Sequence, residues 1–342
     1  MTRSRDSLLR REILSQPDVL ERFRTREGPR AQTLGGQLER SSPVGVLICA
    51  RGSSDHAAVY AKYLFGARLR VPVALAAPSL VTRYGAAPCL EGWLVIGISQ
   101  SGASPDIAAV LESARTQGCL TLALTDRPDS PLGRVASEVL ELHVGEEQSV
   151  AATATFTATL YALAHLACGW GGGDGSGELD AVPDRVRLAL GTEPRAETLA
   201  RDLAATQACV ILGRGFGFPV ALEWALKLKE VARVWAEPYS AADYRHGPIA
   251  LASPAVTAIL IDPDGPGRPD LCELGRELAD RGVRPVWASD DPDCELPFPG
   301  GPEWLAPVPA VVPGQLLALH LAWARDLDPD HPVGITKVTR TL

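Results

Sequence analysis

Six consecutive positions, Ser99-Gln100-Ser101-Gly102-Ala103-Ser104, place three hydroxyls and a carboxamide directly ahead of Pro105. The run follows an apolar stretch, Trp93 to Ile98, that reads as a buried strand, and Pro105 suits the first turn of a helix. Unpaired N–H groups and the helix dipole make such a turn an anion site. The hydroxyls and the amide add neutral donors, so a phosphate is held there without a lysine. Gly52, Ser53 and Ser54 close a neighbouring apolar run. Parallel strands bring both turns to one carboxyl edge, where open α/β sheets bind ligands. A helix cap at Ser104 explains one serine and leaves the other hydroxyls without a role.

A second group lies on the predicted helix from Pro219 to Glu230. At 100° per residue Glu223, Lys227 and Glu230 share a narrow stripe, opposite the apolar stripe of Ala221, Ala225, Leu228 and Ala232. Periodicity alone favours exposed ion pairs worth a few tenths of a kcal/mol each. A carboxylate held beside a lysine also makes a proton-transfer base, and spacing does not choose. His246, in Tyr244-Arg245-His246-Gly247-Pro248, sits in a turn, where imidazole serves equally as a surface residue or as a proton carrier. His165, on an apolar helical stretch, reads as core. Gly213-Arg214-Gly215-Phe216-Gly217 has its third glycine too early for a dinucleotide fingerprint. Gly97-Ile98-Ser99-Gln100-Ser101 lacks the closing glycine of a nucleophile elbow. With no histidine–carboxylate cluster of metal spacing, neither a metal nor a nucleotide cofactor is expected.

These residues must be positioned by alternating strands and helices. The first forty residues look helical. Apolar runs at Val44–Ile48, Trp93–Ile98 and Leu120–Leu124 end in small polar turns, with a helical stretch beginning near Asp55. That is the signature of a parallel α/β sheet. Gly169 to Gly177 reads as a linker, after which the pattern restarts at Val210–Leu212, Val256–Ile261 and Arg284–Ala288, with Pro219 as a first helical residue and Leu316–Trp323 as a late helix. Arg51-Gly52 superposes on Arg214-Gly215 at an offset of 214 − 51 = 163, which predicts two copies of one unit. The expected organisation is an N-terminal helical segment at 1–40, a first α/β domain at 41–168, a linker at 169–198, a second domain at 199–325 and a tail at 326–342.

The chain of 342 residues suffices for two cores. Hydrophobic residues form 46% and charged residues 22%, which excludes a disordered polymer. A net charge of −8 without any basic run argues against nucleic-acid binding. Seven scattered cysteines, never in a C-x-x-C pair, argue against a disulfide framework or a zinc knuckle. Neither a secretory apolar segment nor a run of membrane-spanning length is read, so a cytoplasmic protein without membrane contact is expected.

Taken in order, Gly52-Ser53-Ser54-Asp55-His56-Ala57, Ser99-Gln100-Ser101-Gly102, Glu147-Gln148-Ser149-Val150-Ala151-Ala152-Thr153, Ala221 to Glu230, and Ala236-Glu237-Pro238-Tyr239 through His246-Gly247-Pro248 resemble the double sugar-isomerase (SIS) family. Arg11-Glu12-Ile13 with Gln16-Pro17 resembles that family's start. The likeness covers nearly the whole chain and is greatest to the isomerase half of glucosamine-6-phosphate synthase and to stand-alone amino-sugar-phosphate deaminases. It implies two tandem SIS domains, each a parallel sheet flanked by helices, acting on a sugar phosphate. Ser54, Ser99, Gln100, Ser101 and Ser104 match the phosphate cradle; Glu230 matches the base that shuttles a proton between C1 and C2. His246 matches the ring-opening residue, which reaches across from a partner subunit in relatives and so implies a homodimer. Lys227 and Glu223 match helix residues of the same pocket, with Gly52, Ser53, Val150 and Ala151 beside them. Lys337 matches the lysine of a tail that closes over the sugar.

Three departures shape the expectation. No glutaminase segment precedes the first half, which leaves ammonia release from an amino sugar phosphate, its reverse with free ammonia, or plain isomerisation. Ala154 stands where relatives often carry lysine, and Trp224 where they carry glycine. The tail resembles the deaminases more than the synthase, so an isomerising deaminase is expected. A phosphosugar isomerase or fructosamine-phosphate deglycase, and a non-catalytic phosphosugar sensor, are its rivals.

Overall fold

A computed structural model describes residues 7–337. Among the described residues nine strands form two sheets, and both are parallel throughout. The strands are β1 Gly45–Cys49, β2 Val73–Leu75, β3 Trp93–Ile98, β4 Leu120–Thr125, β5 Glu138–Glu141, β6 Ala208–Gly213, β7 Trp235–Ser240, β8 Thr257–Asp262 and β9 Pro285–Ser289. The helices of eight or more residues are α1 Leu8–Arg26, α2 Gly28–Ser41, α3 Ser53–Leu69, α4 Pro105–Thr116, α5 Ala154–Trp170, α6 Val182–Ala189, α7 Glu193–Asp202, α8 Gly217–Ala232, α9 Arg268–Asp280 and α10 Pro307–Ala324.

The chain divides into two compact units that interleave in sequence. One comprises 18–147, 155–180 and 336–337; the other comprises 7–17, 148–154 and 181–335. This differs from the contiguous ranges read from the sequence, as does the stretch from 169 to 198, which holds helices instead of a free connector. Part of its glycine run is there for packing. A Cβ on Gly169 would lie 2.0 Å from the Gln32 carbonyl oxygen, and one on Gly35 would lie 2.3 Å from that of Leu166. Helices α2 and α5 therefore meet backbone to backbone, which only glycine permits.

In the first unit the sheet order is β2-β1-β3-β4-β5. Strands β1 and β3 are buried almost throughout, as expected of strands covered on both faces. Val95 and Ala123 pack with Ile107, Leu111 and Leu132 in one cluster. In the second unit the order is β7-β6-β8-β9, and Leu212, Leu260, Leu271 and Leu274 form the matching cluster. Helix α10 packs on α7 and α8. It is long and apolar enough to cross a membrane, against the expectation that no such run exists, but 89% of it is buried inside the protein, the place of a core helix. Beyond the end of α10, the Asp330 carboxylate accepts from the Leu8 and Leu9 N–H groups at 2.9 Å each, closing the first turn of α1.

The duplication is deeper than its first turn. Each sheet has a central strand flanked by β2 or β7 on one side and by β3-β4 or β8-β9 on the other. After β1 and β6 the offset is 163; from the ends of β3 and β8 onward it is 164, so that Ser104-Pro105-Asp106 falls on Arg268-Pro269-Asp270 and Asp126 on Asp290. One ion pair recurs in both copies: Arg51 to Asp106 at 2.9 Å and Arg214 to Asp270 at 3.0 Å. In each it ties the loop after the central strand to the first turn of the next strand's helix.

Candidate active site

In the first unit, β1 and β3 are neighbours, with Cys49 paired to Gly97. The turn Gly52-Ser53-Ser54 and the run Ser99 to Ser104 accordingly emerge side by side at one carboxyl edge. Helix α3 begins at Ser53, two residues before the expected start. The hydroxyl turn is held from outside. The Gln100 carbonyl accepts from the Asp126 N–H and from Thr125 Oγ1, both at 3.0 Å, and the Gly102 carbonyl accepts from the Leu132 N–H at 3.1 Å. Gly102 has φ +59°, and a Cβ there would collide with Ser130 Oγ at 1.9 Å. Position 102 thus requires glycine on two counts. Ser104 occupies the N-cap position of α4, yet its side chain makes no capping bond. The hydroxyl is left for another acceptor, and simple capping does not explain it.

In the second unit, α8 carries the predicted stripe. It begins at Gly217, which makes Pro219 its third residue instead of its first. Lys227 Nζ lies 2.5 Å from Glu230 Oε2 and 3.4 Å from Glu223 Oε1. The Glu223 and Lys227 side chains are 0% and 2% exposed, that of Glu230 is 24% exposed. The surface ion pairs favoured by periodicity are therefore absent: this is a buried cation between two carboxylates, an arrangement whose desolvation makes it a poor device for stability. Of the three, only Glu230 has appreciable access to solvent. Trp224 faces the other way. Its Nε1–H donates to the Ala310 carbonyl at 3.1 Å, and a Cβ on Gly314 would lie 2.1 Å from its ring. The bulk at position 224 is thus absorbed by a glycine in α10, within the core.

His246 follows the short helix Ala241–Arg245 and is exposed, held through its own N–H to the Asp243 carbonyl at 3.1 Å. Val150 and Ala151 belong to the loop 148–154 of the second unit. Glu12 of α1 holds this loop, accepting from the Gln148 N–H at 2.5 Å, the Ser149 N–H at 3.0 Å and Ser149 Oγ. Gln16 donates to Gln315 at 2.7 Å, and Gln315 reaches the Thr153 carbonyl. Lys337, in the first unit, does not lie free as a tail residue: its Nζ is 2.9 Å from Glu147 Oε2.

The first unit thus gathers Gly52, Ser53, Ser54, Ser99, Gln100, Ser101 and Ser104 at one sheet edge, with Lys337 on Glu147. The second gathers Glu223, Lys227 and Glu230, and places His246 on its own turn. Glu12 and Glu147 were present in the quoted motifs but had no assigned role, because their partners lie 136 and 190 residues away. His165, read as core, is buried among Phe23 and Tyr161, and burial lowers its pKa to about 4. A cavity of about 690 Å³ lined by Leu199, Val256, Arg284 and Val286 opens at the amino ends of β8 and β9, remote from the carboxyl edge of that sheet. Among the described residues no group of His, Cys, Asp or Glu side chains has the arrangement of a metal site.

Comparison with known proteins identifies the family and the fold. The SIS domain model matches residues 42–168 and 203–295. A glutamine–fructose-6-phosphate aminotransferase [isomerizing] of Gloeobacter violaceus is 36% identical over 96% of the chain. The chain spans 57% of that relative's length. The C-terminal domain of glucosamine-fructose-6-phosphate aminotransferase from Francisella tularensis superposes with a TM-score of 0.85 at 25% identity, covering 96% of this chain and 98% of that one. Glucosamine-6-phosphate deaminase from Thermotoga maritima shares the fold, with a TM-score of 0.83 at 22% identity over 98% of this chain and 100% of that one.

Proposed function

The chain belongs to the SIS domain family, and from that we propose an isomerising deaminase that converts a 2-amino-2-deoxy sugar 6-phosphate, glucosamine 6-phosphate or a close epimer, to the ketose 6-phosphate and ammonia. The observation that carries the reading is Glu230, a partly exposed carboxylate fixed by a lysine buried behind it. In this scheme Ser54, Ser99, Gln100, Ser101 and Ser104 hold the phosphate, far from the reacting carbons, so that binding energy orients the sugar. His246, supplied by a second copy of the chain, assists ring opening. Glu230 removes the proton at C2 of the open-chain aldehyde and returns it at C1, one base serving both carbons from one face. The C2 amine leaves as ammonia when water adds to the resulting ketimine. Lys227, itself held by Glu223, keeps Glu230 aimed, Lys337 bears on the open-chain carbonyl, and Val150 and Ala151 line the sugar.

The test is ammonia release across a panel of 2-amino-2-deoxy sugar 6-phosphates in deuterated water. Wild-type protein releases ammonia with deuterium in the ketose product, and Glu230→Gln slows both by about 10³-fold while retaining sugar-phosphate binding. Deuterium uptake without ammonia indicates a plain isomerase; binding with neither indicates a sensor. Full activity in Glu230→Gln removes the proton shuttle.

A further inference from the structure

The chain has four lysines against twenty-nine arginines. Where a surface cation suffices, arginine supplies it. Two of the four lysines, Lys227 and Lys337, sit instead on buried carboxylates, where a flexible primary amine differs from a rigid guanidinium fork. For Lys337 that carboxylate is Glu147, whose side chain is 0% exposed. Glu147 stands just ahead of α5 and accepts from the Thr155 N–H at 3.2 Å and Thr155 Oγ1 at 2.9 Å, in addition to Lys337 Nζ at 2.9 Å. It is therefore fixed by the helix start before the tail arrives. Apolar burial does not seat the approach to Lys337, since Val333, Gly334 and Ile335 are all exposed.

We infer that Glu147 is a positioning residue: it is the seat that holds the Lys337 ammonium in place, so that the tail residue acts from a fixed point. The inference rests on the proposed role of Lys337 for its effect on turnover, but not for the seat itself. A carboxylate this deeply buried is poorly tolerated without its cation, so departure of Lys337 is opposed by Glu147 as well as by the tail. Alignment of a catalytic group is worth orders of magnitude in rate, and a seat on a helix start supplies it.

Two measurements test this. The first is acetylation of intact protein by an N-hydroxysuccinimide ester, followed lysine by lysine by peptide mass spectrometry. Lys62 and Lys229, both exposed, react fast. Lys337 reacts about tenfold more slowly than they do in wild type and approaches them in Glu147→Gln, the scale expected when a charge-assisted bond is lost. Thr155→Val, which spares the carboxylate, keeps Lys337 protected. Wild-type Lys337 reacting as fast as Lys62 overturns the seat, and this arm needs no variant to fold. The second is a double-mutant cycle on turnover with Glu147→Gln and Lys337→Ala. Glu147→Gln lowers kcat about tenfold or more with KM little changed, and adds nothing once Lys337 is alanine. Additive losses overturn action through Lys337. If Lys337 is protected by Glu147 yet Lys337→Ala retains full activity, the seat stands and the assigned role of Lys337 falls.

Discussion

The loops that leave β3 and β8 occupy the same place in two copies of one unit, and they carry opposite chemistry. After β3 the run is Ser99-Gln100-Ser101-Gly102-Ala103-Ser104; after β8 it is Pro263-Asp264-Gly265-Pro266-Gly267-Arg268. Each leads into a Pro-Asp helix start braced by an arginine from the loop after the central strand. The first carries three serine hydroxyls, and its Gly102 and Ala103 N–H groups donate within the turn, to the Ser99 carbonyl at 3.2 Å and to Ser101 Oγ at 3.3 Å. The second encloses a guanidinium: Arg268 is paired with Asp262 and Asp264 at 3.2 Å and with Asp290. The second turn surrounds a cation with three carboxylates, and the first carries none. Duplication preserved the scaffold and its brace but not the chemistry of this loop, and under the proposed function only the first copy receives a phosphate, one per chain.

Four substitutions probe that contrast. The largest effect is expected from Gln100→Asp, which writes the second turn's Asp264 into the first. Sugar-phosphate affinity should fall about 100-fold, roughly 3 kcal/mol, because a donor is replaced by a like charge beside the phosphate; calorimetric titration reads it. Unchanged affinity would mean the turn is not where the phosphate binds. Next comes the brace. Asp106 is 1% exposed while Asp270 is 47% exposed. Arg51→Ala therefore leaves a buried carboxylate short of its cation and costs about 2 kcal/mol in urea unfolding, whereas Arg214→Ala costs less than about 1 kcal/mol. Equal costs would show that the two pairs are not distinguished by burial.

The smallest effect concerns Asp262, whose pKa is raised to about 6 by burial, against the opposing pull of Arg268, with Asp290 and Asp264 adding to the rise. A carboxyl that binds its proton more tightly when folded lowers stability as pH rises from about 4 to 6, and the loss is complete above pH 6. Asp262→Asn lacks this dependence. Thermal unfolding should show the variant gaining on wild type across that window, by about 1 kcal/mol at neutral pH, with no gain below pH 4. A gain independent of pH would assign the effect to packing instead.

Much of this was legible before any coordinates. The central strands are continuous apolar runs, and β3 lies within the residues read from the sequence, Trp93 to Ile98. Of the four edge strands β9 is legible at Arg284–Ala288, and the other three are hidden in the sequence for physical reasons. β2 has three residues, β5 begins and ends in glutamate, and β7 contains Pro238, which an edge position tolerates. The hydroxyl turn was readable because its chemistry is local. The stripe of Glu223, Lys227 and Glu230 was readable in direction but not in depth: helical spacing gives the face, while burial depends on what packs there. Glu12 and Glu147 are visible only as parts of motifs, since the bonds of Glu12 to residues 148 and 149 and of Glu147 to Lys337 span more than a hundred residues. Gly169 reads as part of a connector, whereas its use, like that of Gly35, is close helix contact.

The cap on α1 has a bearing on how the molecule is made. Asp330 lies 322 residues beyond the Leu8 N–H that it receives. On the ribosome, the opening turn of α1 must wait, without these two hydrogen bonds, until more than three hundred further residues have been synthesised.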